Sequence, residues 1–191
     1  MTDLNVSADP SPAVTSADPA ARFAAAPTFR GYLDTVVENA QLWKDGARLA
    51  QVSDDAVARA AALGRWHLLA LSEDWCGDAV NSLPFVARLA ERAPNLEFRV
   101  LGRDANPDLM DAHLSGTARS IPIVIAYDAG WVERGWWGPR PAALQRWVLG
   151  PEGQALEKAE RYRQVRTWYA RDRGRTTVEE FLRLLEGAPR V

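Results

Sequence analysis

One thiol is available to this chain of 191 residues, that of Cys76 in the run Trp75-Cys76-Gly77-Asp78-Ala79. Its chemistry would be nucleophilic attack on a disulfide, for which the thiolate is the reactive form. The run follows an apolar segment of strand length and precedes a helical pattern, so the thiol falls where a helix amino terminus presents unpaired N–H groups that favour its anion. Asp74 and Asp78 act against this through like-charge repulsion. The sum stays open: Cys76 reads either as an exposed nucleophile or as a small buried hydrophobe without turnover. A single cysteine forms no internal disulfide, and any mixed disulfide on Cys76 must be resolved by an outside thiol. With only His67 and His113 beside it, a protein-only Cys/His zinc site is not supported. Both histidines lie too far from Cys76 in sequence to be assigned as its base and read as structural or surface residues.

The elements that must position Cys76 are legible in hydrophobic periodicity. Residues 66–71 form a continuous apolar run, as expected of a strand covered on both faces. A helix follows from the Cys76 region to Pro94, with Val80, Leu83, Phe85, Val86 and Leu89 apolar. Residues 96–101 alternate as a second strand, and Pro107 opens a short helix within 104–114. Residues 121–127 and 131–137 form a hairpin turning at Asp128, Ala129 and Gly130, and Pro139 and Pro141 open a helix over 142–149. Two amphipathic stretches, 155–171 and 177–185, close the chain. Upstream, Phe29, Tyr32, Leu33, Val36, Val37, Leu42, Trp43 and Leu49 predict one helix ending near Ala50, and a Ser53 or Asp54 cap predicts another through Leu63. Strands joined through a helix run parallel and a hairpin runs antiparallel, so an α/β fold with a mixed four-stranded sheet flanked by helices is expected.

Four segments together carry a resemblance: Ser72-Glu73-Asp74-Trp75-Cys76-Gly77-Asp78-Ala79, Leu101-Gly102-Arg103-Asp104, Arg119-Ser120-Ile121-Pro122 and Trp137-Gly138-Pro139-Arg140-Pro141. They resemble a bacterial thioredoxin-like family with one cysteine in this motif, over roughly residues 29–190. In thioredoxins the Trp-Cys-Gly-Pro-Cys motif supplies an attacking and a resolving cysteine; Cys76 matches the first, whereas Ala79 stands in place of the second. The resemblance implies a thioredoxin-like fold, a cis Ile121–Pro122 bond facing Cys76, and a substrate groove formed by Glu73, Asp74, Trp75, Gly77, Asp78, Ala79, Arg119, Ile121 and Pro122. Arg119 is expected to lower the thiol pKa, and Trp75 to cover the groove. The expected organisation is a disordered tail over 1–20, an N-terminal helical extension over 21–64, a thioredoxin-like core over 65–150 and a C-terminal helical extension over 151–191 packed on the core.

The expected activity is thiol–disulfide exchange of monothiol type on protein or small-molecule disulfides. No cofactor is expected beyond a low-molecular-weight thiol as co-substrate. A non-catalytic binding module that keeps the groove is the alternative, favoured by Ala79; a dimer bridging an iron–sulfur cluster is a weaker third, since four ligands are needed. The net charge of -2 gives no global reason to seek nucleic acid or a membrane surface. Residues 158–175 hold seven basic and two acidic side chains and read as a solvated face. The first 21 residues carry acidic but no basic side chains, unlike a secretory signal, so the expected location is cytoplasmic. Eight tryptophans read mainly as packing groups.

Overall fold

The apolar run becomes β1 (Trp66–Ser72), and its burial on both faces places it in the middle of the sheet. In the computed structural model, which describes residues 18–187, β1 pairs in parallel with β2 (Leu96–Gly102) and antiparallel with β3 (Ile123–Asp128). A final antiparallel strand, β4 (Glu133–Trp137), gives the order β2-β1-β3-β4. Leu69 faces Arg99 on one side and Ile125 on the other, so the central layer is built from the two most apolar strands. A register shift between Ala126 and Tyr127 interrupts the β3–β4 ladder.

Among the described residues four helices precede β1: α1 (Pro19–Ala25), α2 (Phe29–Thr35), α3 (Ala40–Leu49) and α4 (Asp54–Ala61). Between the first two strands runs α5 (Gly77–Arg92), and α6 (Pro107–Asp111) precedes β3. After the sheet come α7 (Ala142–Leu149), α8 (Pro151–Gln154), α9 (Lys158–Asp172) and α10 (Arg175–Leu185). The main core joins the sheet to α5, α10 and the early helices, with Trp43, Leu83, Leu89, Ile123 and Phe181 fully buried. Leu144, Val165 and Tyr169 of α7 and α9 form a second, separate apolar cluster.

Several boundaries depart from expectation for identifiable reasons. The single helix expected to end near Ala50 is two, because the Asp74 carboxylate accepts from the N–H groups of Val37 and Glu38 at 2.8 and 2.9 Å and Asn39 turns left-handed at φ 54°. Val37, Leu42 and Leu49 are consequently exposed and do not join one apolar stripe. Residues 1–17 of the expected tail lie outside the described residues, but Asp18 caps α1, whose first residues are Pro19 and Ala20. Trp131 is a turn residue at φ 63°, not a strand residue, and its ring stacks on buried His67 at 3.8 Å. The stretch expected over 155–171 becomes α9, which starts only at Lys158, and the short α8 before it, Pro151–Gln154, was not expected.

The sheet edges differ. Along β2, Val100 N–H donates to the Pro27 carbonyl and Arg99 Nη1 to the Ala26 carbonyl, so residues 26–28 cover that strand. On β4 the exposed residues are Glu133 and Arg134, followed by Gly135 at φ 148°. Among the described residues no helix is long and apolar enough to cross a membrane.

Candidate functional site

Cys76 is the N-cap residue of α5, a helix of 16 residues, and the chain reaches it directly from the end of β1. The backbone N–H groups of Ala79 and Asp78 favour the thiolate, as expected at a helix amino terminus. On the opposite side, the cis Ile121–Pro122 peptide leads into β3 and the thiol donates to the Ile121 carbonyl at 3.4 Å. Trp75, 44% exposed, stands beside this pair. The Arg103 guanidinium lies 5.1 Å over its ring and donates to the Arg119 carbonyl, joining the two lips of the site.

The thiol is not the exposed nucleophile that was one expectation. Cys76 is 6% exposed, and burial pushes its pKa up to about 11, the Asp78 carboxylate adding to the rise. The N–H groups and the Arg140 guanidinium act the other way without offsetting burial.

Expected groove residues divide by what they hold. The Glu73 carboxylate caps the Asp104 N–H at 2.9 Å, and its burial raises its pKa. Asp74 grips the link between α2 and α3, while its carbonyl accepts from Trp43 Nε1 at 2.8 Å. Gly77 opens α5 with free space where a side chain would stand. Ala79, at the resolving position, is fully buried. Arg119 is a correction: its guanidinium forms a two-point ion pair with Asp111, so Arg119 is engaged away from the thiol.

The cation that does act on the thiol is Arg140, and Tyr169 completes its setting. Asp78 accepts from Tyr169 Oη at 3.0 Å and pairs with Arg140 at 2.6 Å. All three are largely buried, and burial raises the Asp78 pKa despite both partners. The backbone delivers Arg140 here because Gly138, at φ 125°, passes so close to the Pro122 carbonyl that a Cβ would sit 2.0 Å from its oxygen. Arg140 belongs to a segment singled out in the sequence, but no local signal aims it at Asp78; Tyr169 had no signal at all. His113 bonds the Leu109 carbonyl and Glu133, a structural role.

A family model described as thioredoxin matches residues 26–163, a span that contains the sheet, Cys76 and Arg140 and ends before Tyr169. No curated protein matches the chain. Among solved structures, a protein of unknown function from Pseudomonas aeruginosa is 20% identical with a TM-score of 0.72, over 91% of this chain and 100% of that one. An HIV epitope scaffold is 18% identical with a TM-score of 0.68, over 87% of this chain and 96% of that one. At these identities the two structures speak for the fold alone.

Proposed function

The chain belongs to the thioredoxin family and has a mixed four-stranded sheet flanked by helices, and from that premise we propose that Cys76 is the nucleophile of a monothiol thiol–disulfide exchange resolved by an external thiol. The observation that supports this most is the seat of the sulfur at the amino end of α5, bonded to the Ile121 carbonyl opposite and beside an exposed Trp75. An extended substrate would add its backbone alongside Ile121, as an added strand does. Trp75, Glu73, Asp74, Gly77, Asp78, Ala79, Arg119 and Pro122 would frame that groove, Arg119 through its carbonyl bond to Arg103.

The exchange begins when the Cys76 proton leaves to water. The thiolate bonds one sulfur of a protein or small-molecule disulfide, and the other sulfur departs as a thiolate. Because Ala79 carries no sulfur, a low-molecular-weight thiolate attacks the mixed disulfide, takes the substrate sulfur into a new disulfide and returns Cys76 as thiolate. At a pKa of about 11, raised first by burial and then by the Asp78 charge, the resting thiol is protonated, so reaction requires solvent to reach the sulfur. Iodoacetamide labelling followed by intact-mass spectrometry should therefore accelerate about tenfold per pH unit above neutrality. A glutathionylated peptide tests turnover: Cys76→Ser should abolish its reduction by excess glutathione, and an unchanged rate in that variant overturns the proposal.

The depth of Cys76 and its raised pKa favour a second reading, a non-catalytic binding module. Partners retained by Cys76→Ser and lost on Trp75→Ala would select it over exchange.

A further inference from the structure

Seven basic side chains between Lys158 and Arg175 do not all face solvent evenly: three of them surround a cleft between α7, α9 and the start of α10. The cleft encloses about 680 Å³, within the range of about 300–1,000 Å³ that takes a small ligand. Leu144, 1% exposed, belongs to its apolar lining, with Trp147 and Trp168, and Arg163, Arg171 and Arg175 supply its charge.

Its hydrogen-bonding capacity is one-sided. Asp172 is the single carboxylate in the lining, and both its oxygens are taken by the N–H and hydroxyl of Thr176. Arg163 is paired with Glu160, and Arg175 donates to the Asp172 carbonyl. Arg171 has no carboxylate partner among the described residues, nor do the indole N–H groups of Trp147 and Trp168 have a protein acceptor there. Aromatic faces with unanswered donors and excess guanidinium charge complement a planar ring that bears several anionic oxygens.

We propose that this cleft binds a nucleotide-class ligand, a heteroaromatic ring carrying phosphates, with the ring against Trp147 and Trp168 and the phosphates toward Arg171 and Arg175. The site is distinct from the Cys76 groove and does not depend on exchange chemistry there. Trp168 packs edge-on against Tyr169 at 5.4 Å, so an occupied cleft would also bear on the residue that holds Asp78.

Isothermal titration of the full chain with ADP tests the assignment. Saturable binding with a Kd below about 1 mM is expected, with adenosine and inorganic phosphate each weaker, since each answers half of the site. Arg171→Glu should weaken ADP at least about tenfold, whereas Arg166→Glu, on the same helix but outside the lining, should not. Cys76→Ser should bind as the parent does, which separates this outcome from any failure of the exchange proposal. Absence of saturable ADP binding, or binding unmoved by Arg171→Glu, overturns the proposal. Tighter binding of a single-stranded oligonucleotide than of ADP also overturns it, by making the cleft part of a nucleic-acid surface.

Discussion

Two aspartates stand two residues on either side of Cys76, and each holds a different helical layer against the site. Asp74 grips the link between α2 and α3 through backbone N–H groups, and those helices continue into the main core through Tyr32 and fully buried Trp43. Asp78 grips α9 and the approach to α7 through Tyr169 and Arg140, and those two helices share only a small apolar cluster of their own. The first layer is held by hydrophobic burial with a polar link added; the second meets the thiol through a polar link with little burial behind it. The difference indicates which layer can move without unfolding the sheet, because local opening is drawn from regions with few buried apolar contacts.

The largest expected effect tests the first layer. Trp43→Ala removes a fully buried indole packed edge-on to Tyr32 at 5.4 Å and should destabilise the protein by about 3–5 kcal/mol in urea unfolding. A loss below about 1 kcal/mol would erase the contrast, since the N-terminal layer would then be no more firmly held than the other. Next comes Asp78→Asn, which removes the like charge beside the thiol and leaves Arg140 in place. Burial, the main cause of the raised pKa, remains, so the Cys76 pKa should fall only part of the way from about 11, and alkylation at pH 8 should speed up by a few-fold to about tenfold. A slower reaction would mean that Asp78 assists the thiol and does not hold it closed. Smallest is Tyr169→Phe, which deletes one hydrogen bond to Asp78 and should cost about 1 kcal/mol. Hydrogen exchange should report that loss in α9 while the amides of β1 and β3 keep their protection. Equal loss of protection in the sheet would show that the two layers open as one unit.

Much of this arrangement was legible from local pattern. Residues 66–71 announce a central strand because both faces need apolar cover, and the placement of Cys76 between that strand and α5 follows from the change of period alone. What escaped the sequence is what depends on distant partners. The break between α2 and α3 is caused by Asp74, whose carboxylate meets Val37 across 37 positions. Tyr169 meets Asp78 across 91. Arg119 is close in sequence to Ile121 and so invited a role at the thiol, but Asp111, eight positions away, takes its guanidinium. Burial of Cys76 was illegible for the same reason, being set by segments that arrive from elsewhere in the chain.

The unequal sheet edges bear on how the protein tolerates crowding by its own copies. An open strand edge is a template on which another chain can continue the ladder. Here β2 already has residues 26–28 laid along it, so its outward N–H and carbonyl groups are partly spent. On β4 a visiting strand would meet the charges of Glu133 and Arg134 and a backbone put out of register by the shift at Ala126 and Tyr127. Growth of the sheet from copy to copy is thus impeded at both margins, by a covering segment on one side and by charge and a broken register on the other.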